Sequence, residues 1–404
     1  MKISPVPAND APKPLAFYSP GSVVGDVVYL AGQIASDYVT GVPTEACRRP
    51  NSGADSDIRE QVDYVLGNLR TVARAAGADL ADAVAANVFL KDAADRPGLD
   101  EAWRGFFGPS SPPRTVSTVG GHGLLVPGTV VEIDLWAAAV GTPLPLVMPD
   151  VDVAGRARRL GPLVHCAAQT ATDDAGALLP AAVARPEFPY YAEPMERQTR
   201  ALLTKVERLL ATWGGRLEDV VWARAFLADL ADVDLFDEVW QELLPHQPAR
   251  TVLHSDELEG DDVCVQVQVI AVAPDARDLV RPVIADWAPE GAASAVVVGD
   301  VVLLSGVSGI RDHGDRSPLR SDVAVQTSSV LSRLDSVLQA AGTDLSHLVK
   351  TQVFLTDLDL FHRYDRTWKR SLTALPPRTT TQTGSAGFLD PAALVSIDAV
   401  AVLP

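Results

Sequence analysis

Basic residues, cysteine and long apolar runs are scarce in this 404-residue sequence, and each shortage removes a class of function. Lys and Arg number 34 against 52 Asp and Glu, for a net charge of −18. Nucleic acids and anionic membranes are held through basic surface, so neither is an expected partner. The three cysteines, Cys47, Cys166 and Cys264, stand at unrelated positions with no metal spacing, which argues against a disulfide frame and for buried, inert thiols. No apolar run reaches the roughly 18 residues of a membrane span, and the opening MKISPVPANDAPKP is proline-rich rather than a signal peptide. The expected setting is cytoplasmic. No HExxH, paired CxxC or glycine-rich phosphate loop occurs, so neither metal nor cofactor is expected.

What the sequence does have is repetition. PPRT occurs at 112–115 and again at 376–379, with QPARTV at 247–252 close to a third copy, so that Arg114, Arg250 and Arg378 are spaced by 136 and then 128 residues. Upstream of each arginine runs an amphipathic stretch opening on glutamine: QVDYVLGNLRTVARAAG, QTRALLTKVERLLATWG and QTSSVLSRLDSVLQAAG. Apolar residues at i, i+3, i+4 and i+7 predict a helix ending near Gly77, Gly214 or Gly342. A strand follows (AVAANVFLKD, VVWARAFLADL, LVKTQVFLTDL), then a shorter helix in which Asp100/Trp103, Asp237/Trp240 and Asp365/Trp368 recur three residues apart. Each unit opens on a strand (VVYLAGQ, PLVHCAAQ, VVLLSGV) and closes on another (VVEIDLWAAAV, VCVQVQVIAV, LVSIDAVAV). Fixed-order recurrence of this kind marks one unit written three times.

The pattern lapses at GTPLPLVMPD and at VAPDARDLVRP, which places the units at 1–142, 143–275 and 276–404. Both linkers are short, so the units are expected to pack together.

The AGQ strand, the helix opening on Gln, AAGADLADAV, FLKD, the helix ending in FF, and PPRT before a glutamate-bearing last strand together resemble the RidA (YjgF/YER057c/UK114) family. The resemblance spans the chain three times, with the first unit closest. It implies an α+β, chorismate mutase-like fold: each unit a mixed sheet with two helices on one face, and the three forming an intramolecular pseudo-trimer around a central β-barrel. Clefts would lie between neighbouring units, and the chain would be a monomer or dimer. The family's chemistry is hydrolysis of enamine/imine intermediates to 2-keto acids and ammonia, with the arginine as carboxylate anchor. That role suits a planar guanidinium, which offers a carboxylate two parallel bonds. The alternative is that each arginine pairs with the recurring aspartate of its own unit.

By the same resemblance, Tyr18 and Glu132 of the first unit correspond to the cleft tyrosine and the water-activating glutamate. Main-chain N–H groups at Val116, Val252 and Thr380 would add a second carboxylate anchor. The family serine survives only as Ser305, being Ala31 and Ala167 elsewhere, and the glutamate becomes Gln266 and Ser396. The tyrosine position falls near Ala154 and Ala292. One cleft at most therefore receives Glu132, and Arg114 or Arg250 is the arginine expected to face it. His254 and the three tryptophans are expected to serve the core. The reading is an enzyme acting on a small carboxylate-bearing enamine or imine, with fusion and divergence of the units pointing to a specialised biosynthetic pathway; the alternative is a non-catalytic binder of small carboxylates.

Overall fold

A computed structural model describes residues 1–7, 10–48, 56–108, 111–120, 123–142, 146–147, 157–183, 187–188, 193–260, 262–285, 293–309 and 322–404. In the first unit an antiparallel hairpin, Gly21–Val24 and Val27–Leu30, is followed by the short strand Gln33–Ile34, the long helix Ile58–Ala75 and the strand Ala78–Leu90. The short helix Arg96–Phe107 and the strands Arg114–Thr118 and Val131–Ala139 complete it. Within the sheet Val131–Ala139 lies between Val27–Leu30 and Ala78–Leu90, and Arg114–Thr118 runs parallel to Ala78–Leu90 at the edge. The second and third units repeat this order, with long helices Pro194–Ala211 and Val323–Ala341 and arginine-bearing edge strands Ala249–His254 and Arg378–Gln382. The architecture is thus three mixed sheets, each with two helices, as the sequence pattern implies. The first strand of each hairpin lies outside the strands read from sequence. Its turn is made at Gly25, Gly161 or Gly299, each at positive φ (54°, 57°, 60°), where a side chain would be strained.

The helical periodicity is spent on burial. Val62, Val65, Leu66, Leu69 and Val72 are all at most 1% exposed, packed with the sheet's helix-side residues into one core, and each of the other units has its own. The opening glutamines recur for a different reason. Gln61 donates to the Gly128 carbonyl and accepts from Val130 N–H, Gln198 does the same with Asp262 and Cys264, and Gln326 with Ala392 and Leu394. An amide carries both a donor and an acceptor, so one buried side chain clamps the turn that precedes each last strand.

The opposite faces of the three sheets meet one another. Tyr29, Trp136, Trp222, Ile270, Val298 and Val400 belong to one shared apolar cluster, and Phe89, Phe226 and Phe354 to a second. Between them lies a buried polar layer. The Arg224 guanidinium of the second unit grips Asp398 of the third at 2.7 and 3.1 Å, while Asp134 of the first accepts from Asn87 at 2.9 Å and from Thr379 at 2.7 Å, with Lys350 at 3.4 Å. Buried charges are tolerated only when paired in this way. Among the described residues each sheet is its own hydrogen-bonded path, and the units are joined by buried side chains together with main-chain bonds at their boundaries. No helix among the described residues is long and apolar enough to cross a membrane.

Candidate functional site

The recurring aspartate and tryptophan exist to hold the arginine. Three residues apart on the short helix, they share a face. Asp100, Asp237 and Asp365 form ion pairs with Arg114, Arg250 and Arg378, the last two at 2.7 Å. Each guanidinium also lies 5.3 Å from the ring centroid of its unit's tryptophan: Trp103, Trp240 or Trp368. The tryptophans are buried, as a packing role requires, and serve in addition as cation–π platforms. The intra-unit aspartate pairing is therefore realised in all three copies. It does not use up the guanidinium: Nη1 of Arg114 and of Arg378 alike is buried and makes no hydrogen bond.

What distinguishes the copies is the wall across the unit boundary. Gly32 N–H donates to the Arg378 carbonyl at 3.2 Å, Ala168 N–H to that of Arg114 at 3.2 Å, and Gly306 N–H to that of Arg250 at 3.3 Å. Each arginine strand thus abuts the opening strand of the next unit, and the third unit abuts the first. Arg378, not Arg114 or Arg250, therefore shares a cleft with Glu132 and Tyr18. The sequence expectation is corrected here because the direction in which units follow one another is a property of their packing, with no local signal.

In this cleft, of ≈ 420 Å³, Glu132 is 4% exposed and its Oε2 makes no hydrogen bond. Burial, and then the nearby Asp134 charge, push its carboxyl up to about 8, against the opposing pull of Lys350, the Thr380 N–H and Arg378. The group thus holds its proton at neutral pH and releases it just above. The Thr380 N–H is directed to Glu132. The Tyr18 ring lies 5.4 Å from the Arg378 guanidinium, and its hydroxyl is paired with that of Tyr38 and raised well above the usual phenol range by burial. Gly32 is required at the AGQ position: a Cβ there would collide with the Glu132 carboxylate and with Thr379.

Among the described residues the other two boundaries lack this arrangement. In the first-to-second cleft, Gln266 donates to the Val116 carbonyl at 3.0 Å, and Ala168 stands where the first unit has Gly32, the position at which a Cβ would collide with the Glu132 carboxylate. That cleft, of ≈ 520 Å³, is lined with charge, including Arg96, Lys205, Asp173, Asp174 and Glu259. At the second-to-third boundary, Ser305 Oγ accepts from Arg250 N–H and donates to the Ala293 carbonyl, both at 2.8 Å, so its hydroxyl is committed to main chain. Val252 is half-buried on the Arg250 strand. His254 interacts with the Ala228 carbonyl through Nε2 at 3.1 Å and accepts from Ala386 N–H at Nδ1, a satisfied core histidine. Ala154 and Ala292 lie outside the described residues.

Two contributors are absent from the sequence reading. Tyr38 is displayed at φ 56° by a turn in which Asp37 accepts from Val39 and Thr40 N–H at 2.8 and 2.7 Å; the SDYVTG stretch is legible as a turn but not as part of a site. Lys350 reaches from the third unit to the Leu30 carbonyl and Thr379 Oγ1, both at 2.8 Å, behind Glu132. It reads as an ordinary polar residue in a strand.

Fold and site together define a protein of three tandem α+β units with an arginine-and-glutamate cleft at one boundary. The family model described as Endoribonuclease L-PSP matches residues 8–139, 156–273 and 287–403, and the chain belongs to that family, as three RidA-like units. Among relatives, a RutC family protein, y4sK, of Sinorhizobium fredii is 34% identical over 132 residues, 33% of this chain and 94% of that protein. A protein of Dermatophagoides farinae named 2-iminobutanoate/2-iminopropanoate deaminase is 33% identical over 110 residues, 27% of this chain and 77% of its own length. The crystal structure of a chorismatase matches with a TM-score of 0.54 at 13% identity, covering 80% of this chain and 93% of that one, a likeness of fold alone.

Proposed function

We propose that the chain is an imine deaminase whose working site is the cleft between its third and first units. The observation that carries this reading is the meeting of Arg378, Glu132 and Tyr18 in one cleft. A relative bearing the name of an imine deaminase supports it. Arg378 takes the substrate carboxylate. Glu132, protonated at neutral pH, gives its proton to the imine nitrogen and leaves a more electrophilic carbon. The resulting carboxylate takes a proton from water as the water oxygen bonds to that carbon. The carbinolamine then passes its hydroxyl proton to nitrogen, the C–N bond breaks, and 2-keto acid and ammonia leave. A carboxyl with its proton affinity near the working pH suits both halves of this cycle.

Ammonia release from 2-iminopropanoate, generated in situ by oxidation of the amino acid, tests the proposal. Glu132→Gln should lower turnover by roughly 10²–10⁴ and leave affinity for the keto acid nearly unchanged. Keto acid binding without ammonia release from the unaltered chain would identify a binding protein instead. We further read the three units as standing where the chains of a homotrimer would, supported by the matching main-chain bonds at the three boundaries. The chain then acts as a monomer or dimer; light scattering that returned a trimer of full chains would overturn this.

A further inference from the structure

We propose that this cleft selects carboxylates bearing a ring-sized apolar body over those the size of pyruvate. The inference rests on the proposed site and concerns what fills it. Arg378 comes from an edge strand and Glu132 from a central one, while the rest of the wall includes the apolar Leu15, Phe17, Ile34, Leu125, Val126 and Phe361 beside Tyr38, His362 and Arg366. At ≈ 420 Å³ the space falls within the range of about 300–1,000 Å³ typical of sites for larger organic ligands. An acid of three or four carbons anchored at Arg378 leaves most of that apolar wall facing water.

The wall is also held in place. Phe17 N–H donates to Asp365 at 3.4 Å, Lys369 lies 3.7 Å from the Phe17 ring centroid, and Phe17 and Phe361 both pack on the core of the third unit. Asp365 thus fixes both the anchoring arginine and the N-terminal segment that walls the cleft. A pre-formed apolar surface favours a matching ligand because little ordering remains to be done on binding. The first-to-second cleft differs in this respect, being larger and lined with charge.

Calorimetric titration of the full chain with phenylpyruvate and with pyruvate tests the inference. Phenylpyruvate should bind at least about tenfold more tightly, the scale set by a few buried methylene equivalents. Leu125→Trp, a change at a half-buried position on the wall, should weaken phenylpyruvate at least about tenfold and pyruvate by no more than about twofold. Equal affinities, tighter pyruvate, or an equal loss of both ligands in the variant would overturn the proposal. Because stable keto acids report binding without turnover, the two readings separate. Tighter phenylpyruvate with no ammonia release would sink the deaminase reading and leave the selectivity standing; ammonia release with no preference for the ring would do the reverse.

Discussion

Arg378 and Arg114 stand in the same frame of aspartate and tryptophan, yet they face different walls. Arg378 looks across to a glutamate, a tyrosine pair and an apolar pocket. Arg114 looks across to Gln266, bonded to main chain, and to Ala168, whose methyl replaces a glycine. The comparison teaches that the arginine module is a structural part of each unit, held by its own helix, whereas the cleft with a glutamate joins the module of one unit to the strands of its neighbour. Three chains of a homotrimer must carry identical boundaries. A single chain with three units is released from that constraint, and the buried pairs Arg224–Asp398 and Lys350–Asp134, each made between unlike units, show the release extending into the shared interior.

The comparison breaks most sharply at the arginines. Arg378→Ala should lower ammonia release by at least about 10²-fold, because the charge-assisted anchor that is lost is a buried one. Arg114→Ala and Arg250→Ala should leave the rate within about threefold. Equal losses of about a third in all three variants would mean three equivalent sites and would remove Glu132 from the chemistry.

A smaller effect follows from the proton on Glu132. Its carboxyl is raised from about 4.5 to about 8, so the rate should fall as pH rises through 8, by about tenfold per unit well above it. Stability should move in the same direction. Between the two values the folded chain binds more protons at this site than the unfolded chain, so stability contributed by the neutral carboxyl is full below the lower value and is lost as pH rises toward the upper one. Denaturant melts of the native chain and of Glu132→Gln should therefore diverge from about pH 4.5 to 8, by on the order of a few kcal/mol, with the variant the less pH-sensitive. Parallel curves would show that the carboxyl is ionised in the folded chain.

Much of this protein was legible before folding was considered. Three units, their long and short helices and the recurring arginine follow from period and pattern, because helix burial and strand alternation are local; the loss of the glutamate at Gln266 and Ser396 is read through the family resemblance. The hairpin strands Gly21–Val24, Ala157–Leu160 and Ala295–Val298 were missed: at four residues each they carry too short an alternation, and their assignment rests on pairing with a partner strand. Tyr38 was missed because its place in the cleft depends on a left-handed turn. The glutamines opening the long helices were visible as a repeat, and their clamp on a turn more than sixty residues later was not.

By itself the sequence determined the unit, its number of copies, and the inventory of groups each copy could offer. Tertiary structure decided which groups meet. Glu132 and Arg378 are 246 positions apart and belong to the first and last units, and they meet because each arginine edge strand seats against the opening strand of the next unit until the last reaches the first. Nothing in either segment encodes that partner. The choice is made by the packing of three sheet faces on one shared core, and the same packing removes Glu132 from water and keeps its proton in place at neutral pH.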